Sequence, residues 1–424
     1  MYEDLIRKLI PKLFFKFPYT VEDYAEHLYL ENYHSHSYFS NSSTPDSPTS
    51  MEDYAARIKE LGGKCLYSME HGWQGNFYSN YDIAEKEGLV PIHGTEAYWV
   101  YDRHEQDRTN CHIIVHALND EGRKEINYML SIANEDGFYG HPRIDEELLL
   151  QLDPKNVLVT SSCIQGWKYA DAEQFWLRMA KHFGRHFFLE VQNHNTDEQK
   201  ELNKKIIRIA KENHIDIICG LDSHYINTET DDVRRNQLLL YKGITYPDEE
   251  GWYLDYPDTP TVIQRFQEQG VLTIGQILRA IMNTNIFASE EVTPIVLDRH
   301  FKIPTVMPDA TYDEKCREYK RILNEAYKRD PLRTPKKAEG IKQEVKEVID
   351  SNVVDYFLTS KAIIDDAVQN EGGTLTTTSR GSSASFVTNK LLGLTTIDRF
   401  NSDVPIYWQR FLTAERVNAG SMPD

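Results

Sequence analysis

SMEDYAARIKELGGKCLYSMEHG, residues 50–72, decides how the first half of the chain is read. Ser50 followed by Asp53 is a capping-box-like helix start, a pairing in which side chains and backbone N–H groups satisfy one another. Tyr54, Ile58 and Leu61 then recur at helical spacing until Gly62-Gly63 breaks the run. A short apolar, strand-like segment, 64–68, leads into Glu70-His71-Gly72. Helix, turn and strand thus deliver a carboxylate and an imidazole to one strand end.

The same rhythm continues outward. Strand-like runs lie at 89–92, 112–117, 157–160, 187–191 and 215–220, with helical patterns between several of them. One helical pattern, 197–212, places Leu202, Ile206, Ile209 and Ala210 on one side. Such alternation predicts an α/β fold of parallel strands with helices outside, as a barrel or an open sheet. From about Asp231 helical patterns dominate to about Val354, broken by turn-rich stretches at 246–260 and 304–312. A small-residue segment, 374–385, precedes a further helix-like run. The 424 residues predict two or three domains, with a boundary between about 230 and 280.

Bulk properties exclude some classes. No apolar run approaches the ~18–20 residues of a membrane span, and the first residues lack the basic and apolar regions of a secretory signal. Five scattered cysteines (65, 111, 163, 219, 316) with no CxxC read as reduced thiols of a cytoplasmic protein. The net charge of −19, from 47 basic and 66 acidic residues, is opposite to that of a free-standing nucleic-acid binder. The 315–346 segment is locally basic, with Arg317, Lys320, Arg321, Lys328, Arg329, Arg333, Lys336 and Lys337. It reads either as a solvated helix face or as a phosphate-contacting surface.

The strand ends carry the chemistry. His34-Ser-His36, Glu70-His71, Glu96, His112, Cys163 and Asp222-Ser-His224 each follow or adjoin a strand-like run. In a barrel such ends converge on one face. Imidazole, carboxylate and thiolate together favour zinc, manganese or iron over magnesium. Ions bridged by a shared carboxylate stand ~3.5–4 Å apart and assist hydrolysis of phosphate esters.

These residues, with Pro91-Ile-His-Gly-Thr-Glu-Ala-Tyr98 and Phe188-Leu-Glu-Val-Gln192, resemble the PHP (polymerase and histidinol phosphatase) superfamily, in the version found in bacterial C-family replicative polymerases. The resemblance implies nine ligands for up to three Mn, Zn or Fe ions: His34, His36, Asp46, His71, Glu96, His112, Cys163, Asp222 and His224. The spacing from HxH to Asp46 is longer than the family's usual one, and Asn41 stands at the shorter spacing. The implied fold is a distorted (β/α)7 barrel over 30–275 after a helical lead-in, 1–29, followed by a partial α+β polymerase palm over 276–424.

Palm-like motifs follow in the family's order: Asp355-Tyr-Phe-Leu358, Ser379-Arg-Gly-Ser-Ser383, Leu394-Thr-Thr-Ile-Asp398, Arg410 to Val417, and Ser421-Met-Pro-Asp424. By resemblance, Arg380, Gly381, Ser382 and Ser383 hold a nucleotide triphosphate on backbone N–H groups at a helix start. Asp424 would be the first carboxylate of the polymerase magnesium site. Thr376-Thr-Thr-Ser379 replaces the family's Gly-Pro-Gly, Asn418-Ala-Gly420 reads as an insertion, and the second and third catalytic aspartates fall outside the sequence. An ending inside a catalytic motif fits a truncation or, better, a polymerase encoded in two parts, whose second reading frame would begin near the missing aspartate.

The implied function is 3′-to-5′ proofreading hydrolysis of DNA, with polymerisation only once a C-terminal portion completes the palm. Implied partners are DNA primer–template, dNTP, that C-terminal portion, the sliding clamp and other replisome proteins, but no membrane. Two alternatives stand beside this reading: a small-molecule phosphatase, and a non-catalytic assembly subunit with stabilising metals.

Overall fold

Helix and strand alternate as residues 50–72 predict. Ser50 and Asp53 form a full capping box on the helix Met51–Glu60, and strand β1, Cys65–His71, follows. These details come from a computed structural model describing residues 2–41, 46–227, 231–236, 240, 251–298, 302–378, 381–404 and 406–422. The chain divides into two units, Met1–Leu297 and Asp298–Asp424.

The first unit is built on a seven-stranded sheet: β1, then β2 (Val90–Trp99), β3 (Cys111–Ala117), β4 (Arg143–Ile144), β5 (Val157–Thr160), β6 (Phe187–Val191) and β7 (Ile217–Cys219). The strand order is β1-β2-β3-β5-β6-β7, with β4 paired to β2 off this path. β1 pairs parallel with β2, β2 with β4, β5 with β6 and β6 with β7. β3 runs antiparallel to both β2 and β5, which corrects the expectation of parallel strands throughout. Residues 100–110 join β2 to β3 without a helix, and a helix-less return of this kind reverses the chain beside itself.

Both sheet faces are buried. Ile113 and Val115 of β3 pack with Ile126, Met129 and Trp176 on the helical side. Ile114 points the other way, into an interior filled by Tyr33, Tyr67, Leu158, Phe188, Ile218 and Phe287. Burial on two sides explains why these strands read as continuous apolar runs rather than alternating ones.

The N-terminal lead-in and the helix Ile274–Thr284 belong to the same core: Ile6, Leu9 and Tyr24 cluster with Ile277, Ile281 and Met282. Asn283 also donates its side-chain amide to the Ile217 carbonyl of β7 (2.7 Å). The compact first unit accordingly extends to Leu297.

The second unit, among its described residues, consists of helices and turns with no strand, the helical component of the implied palm segment. Helices Tyr312–Arg329, Pro335–Asp350 and Val354–Gln369 gather around Tyr319, Leu323, Val348, Phe357, Phe386 and Phe411. Part of the basic segment is internally paired. Lys337 is fully buried between Asp330 (2.6 Å) and Asp398 (2.5 Å), and Arg321 pairs with Glu318 and Glu325 along its own helix. No helix among the described residues is long and apolar enough to cross a membrane.

Candidate metal centre

Backbone pairing sets the ligand positions. Ser35 and Ser223 form a parallel bridge: the His36 N–H donates to the Ser223 carbonyl (2.7 Å) and the Ser223 N–H to the His34 carbonyl (3.0 Å). HxH and DxH thereby lie side by side. His71 at the end of β1 stands opposite Glu96 of β2, and His112 of β3 opposite Tyr98 of β2. Two turns bring further ligands in through left-handed backbone, at Ser162 (φ +55°) just before Cys163 and at Asp222 itself (φ +53°). Such conformations are strained for residues other than glycine and persist where surrounding bonds hold them.

The structure brings all nine predicted ligands together. His34 Nε2 lies 3.3 Å from Glu96 Oε1 and 3.2 Å from Asp222 Oδ1. His36 Nε2 lies 3.4 Å from Glu96 Oε2 and 3.3 Å from Asp222 Oδ1. Glu96 also meets His71 Nδ1 (2.9 Å) and His112 Nδ1 (3.1 Å), so its carboxylate lies at the centre of the group. Cys163 Sγ is 3.6 Å from His112 Nδ1. Asp46 Oδ2 is 3.0 Å from His224 Nε2 and 3.9 Å from His71 Nε2. Among the described residues, three overlapping triads have ligand atoms within 4.8 Å of one another: His36/His71/His224, His34/His36/Glu96 and His71/Glu96/His112.

The donor set fits metal ions. His34 Nε2, His36 Nε2, His71 Nδ1 and Glu96 Oε2 are buried and lie 2.9–3.4 Å from oppositely charged neighbours in the cluster, yet none makes a well-directed hydrogen bond there. Buried polar atoms left unpaired are costly and call for an explanation, which cations between them would supply. The carboxylates and imidazoles of the cluster shift one another's protonation. Burial opposes ionisation of Glu96, yet His112 and His34 hold it well below the usual carboxylate range. Asp222 is likewise lowered against burial, by His34 and His36, and Asp46 by His224 and His71. Burial opposes protonation of His34, but Glu190, Asp222 and Glu96 raise its pKa. His71 and His224 are raised in the same way by their carboxylate neighbours. Burial and then the neighbouring His71 push His36 down to about 3.

Outer residues fix the ligands. Glu190 Oε1 lies 2.8 Å from His34 Nδ1; its other oxygen accepts from Tyr33 (2.6 Å) and Thr160 (3.2 Å). Ser40 meets His36 Nδ1 (3.1 Å) and donates to Glu70. Glu70 is pushed up to about 7 by burial and also accepts from Ser37 and Asn76 (both 2.6 Å). Arg234 holds Asp46 through its carbonyl (2.7 Å) and Oδ1 (3.1 Å). Sequence reasoning picked out Glu70 only within the Glu70-His71 strand end and Glu190 only within the Phe188–Gln192 motif, and gave Ser40 and Arg234 no role. A glutamate inside the apolar run Phe187–Val191 was the available signal for Glu190.

In the second unit, Gly381 has φ +88° with nothing near its Cβ direction, and Ser383–Ser385 forms a single 3₁₀ turn. The N-terminus of the following helix, Val387–Leu392, is already occupied. The Glu344 carboxylate accepts from the N–H groups of Val387 (3.1 Å) and Thr388 (2.8 Å) and pairs with Arg399 (2.8 Å). This helix start therefore does not offer the Val387 and Thr388 N–H groups to a phosphate, and in the turn before it the Ser385 N–H donates to the Ser382 carbonyl (2.9 Å). Arg380 and Asp424 lie outside the described residues. Asp255 is paired with Arg265 (2.7 Å) and Asp258 caps Thr259–Gln269, so neither belongs to a catalytic cluster.

Comparison with known proteins adds two family matches: the PHP domain over residues 32–194 and the bacterial DNA polymerase III alpha NTPase domain over residues 314–424. The DNA polymerase III subunit alpha of Aquifex aeolicus is 26% identical over 425 residues, 92% of this chain and 35% of that protein. That of Helicobacter pylori strain 26695 is 26% identical over 419 residues, covering 89% and 34%. That of Treponema pallidum is 30% identical over 215 residues, covering 47% and 18%. The chain thus spans about a third of the first two relatives.

Proposed function

We propose, for a chain that belongs with the bacterial DNA polymerase III alpha subunits through its PHP domain and its NTPase domain, that the nine-residue centre hydrolyses phosphodiester bonds at DNA 3′ ends. The observation that carries this reading is the set of buried ligand atoms gathered around Glu96 without well-directed hydrogen bonds of their own. A carboxylate shared among His34, His36, His71 and His112 is the arrangement that bridges neighbouring ions. Up to three Mn, Zn or Fe ions, when bound, would lower the pKa of a water and neutralise charge on the phosphoryl group. His34, His36 and Glu96, with fully buried side chains, form the floor of the centre. Asp46, Asp222, His71 and His112 are its more accessible edge, where a strand end would enter.

The 381–383 turn, with Arg380, is assigned to a dNTP triphosphate, and Asp424 to a magnesium ion of a polymerase site. Both act only in a completed palm supplied by a C-terminal portion, on DNA primer–template and alongside the replisome's clamp. The small-molecule phosphatase alternative leaves the polymerase-type 314–424 region without a use. The assembly-only alternative is separated by experiment: Asp222→Ala with His224→Ala should abolish manganese-dependent 3′-to-5′ exonuclease activity on a mismatched primer–template. Equal activity in the double variant, or tightly bound metal without any turnover in the parent chain, would refute the hydrolytic reading.

A further inference from the structure

Two large aromatic side chains beside the metal centre face solvent: Tyr38 is 45% exposed and Trp73 is 44% exposed. With the half-buried Phe39 they form one group. Tyr38 and Phe39 stack at 4.7 Å and 25°, and the Trp73 ring stands 6.3 Å from Phe39 at 52°. None of the three is a ligand, yet each sits next to one in the chain. Phe39 is three residues beyond His36, and Trp73 two beyond His71. At about 3.8 Å per residue, their backbones stand within roughly 11 Å and 8 Å of those ligands.

The group is held in place. Ser37 caps the Tyr38–Ser40 turn by accepting from the Phe39 N–H (3.2 Å) while donating to Glu70. The Trp73 indole N–H donates to the Phe39 carbonyl (2.8 Å), tying the loop after β1 to the loop after HxH. Gly75 lets the Trp73 ring lie over its backbone: a Cβ there would come within 2.4 Å of the ring. Solvent-facing rings kept rigid lose little conformational entropy when a flat partner lands on them.

We propose that Tyr38, Phe39 and Trp73 form a stacking platform for an unpaired nucleobase of the single strand whose phosphodiester lies at the metal centre. This rests on the hydrolytic reading above for its placement. Stacking on aromatic faces tolerates any base, which suits an end trimmed irrespective of sequence. It also supplies affinity that this acidic chain does not draw from net charge, which is −19.

The test uses the full chain and two fluorescein-labelled single strands of equal length, one ending in thymidines and one in abasic residues. Binding is read by anisotropy on metal-stripped protein, so the platform is measured without hydrolysis. The parent chain should prefer the thymidine strand, and Tyr38→Ala with Trp73→Ala should weaken that strand roughly 10-fold while leaving the abasic strand unchanged. Trp73→Phe keeps a ring and should retain most of the preference, which separates stacking from loss of the indole hydrogen bond. Equal binding of the two strands by the parent, or thymidine-strand affinity unaltered in the double alanine variant, would overturn the proposal. A parent chain that shows this preference but cleaves nothing would sink the hydrolytic reading and uphold the platform.

Discussion

Replacing Glu190 by glutamine should weaken metal binding without removing a ligand. Glu190 is 1% exposed and receives four donors on two oxygens: His34 Nδ1 (2.8 Å) and Gln192 Nε2 (2.8 Å) on one, Tyr33 (2.6 Å) and Thr160 (3.2 Å) on the other. An acceptor-only carboxylate among donors places the His34 proton on Nδ1. That leaves the Nε2 lone pair facing Glu96 and Asp222. In Glu190→Gln the amide oxygen can stay on His34 and Gln192, with its NH2 towards two hydroxyls that can turn to accept. Geometry survives, but the negative charge that makes His34 a stronger ligand is gone. Loss of such a partner costs ~10–100-fold in metal affinity, or ~1.4–2.7 kcal/mol. The assay is a manganese or zinc titration of stripped protein, followed by calorimetry and by melting temperature. At a metal concentration of 100 times the parent Kd, binding stabilises the parent by ~2.7 kcal/mol; a tenfold weaker variant keeps only about half of that. Glu198→Gln on the exposed surface is the control. An unchanged titration midpoint in Glu190→Gln would show that His34 does not depend on this carboxylate.

Gly220→Ala should be more severe, because the new Cβ would stand 2.2 Å from both the carboxyl carbon and one oxygen of Glu190. Metal affinity should fall by at least as much as in Glu190→Gln, and the melting temperature should drop even without metal; parent-like values of both would contradict the packing. The metal-free chain should be most stable near pH 6.5, the ordinary histidine value. His34, His71 and His224 are raised, so the stability they contribute is fully present below that value and is lost as pH rises through their folded pKa values. On the acid side, His36, lowered to about 3, and the lowered His93 and His194 must be protonated on unfolding. The depressed Glu96, Asp222 and Asp46 lose their contribution lower still. Melting curves across pH 4–9 should therefore fall on both sides, and added manganese should flatten the alkaline fall because ions take the place of the protons. An alkaline fall that manganese leaves unaltered would count against metal binding by these histidines.

Local pattern places the strand ends and the candidate ligands on them, because residue type and position along a strand are both written in sequence. Strand direction is not, since a period of two reads the same both ways, and β3 was accordingly misread as parallel. Partners distant in the chain were equally hidden. Glu190 and His34 meet across 156 positions, and a strand pattern gives the face of a side chain but not what lies opposite. The same limit applies to the 381–383 turn: its sequence does not reveal that the Glu344 carboxylate accepts from the N–H groups at the following helix start. Asn41 and Asp46 show how structure separates two positions that spacing alone left competing. The Asn41 carboxamide accepts from the N–H groups of Asp46 (2.6 Å) and Ser47 (2.8 Å) and donates to the Ser47 carbonyl (2.8 Å). Its side chain is spent on closing the loop. Asp46, held by Arg234, is then the residue whose carboxylate reaches His224 and His71. Asn41 thus ties down residues 46 and 47, and a carboxylate at position 41 would lose the donor that reaches the Ser47 carbonyl. Asn41→Asp should on this account loosen the loop rather than add a ligand.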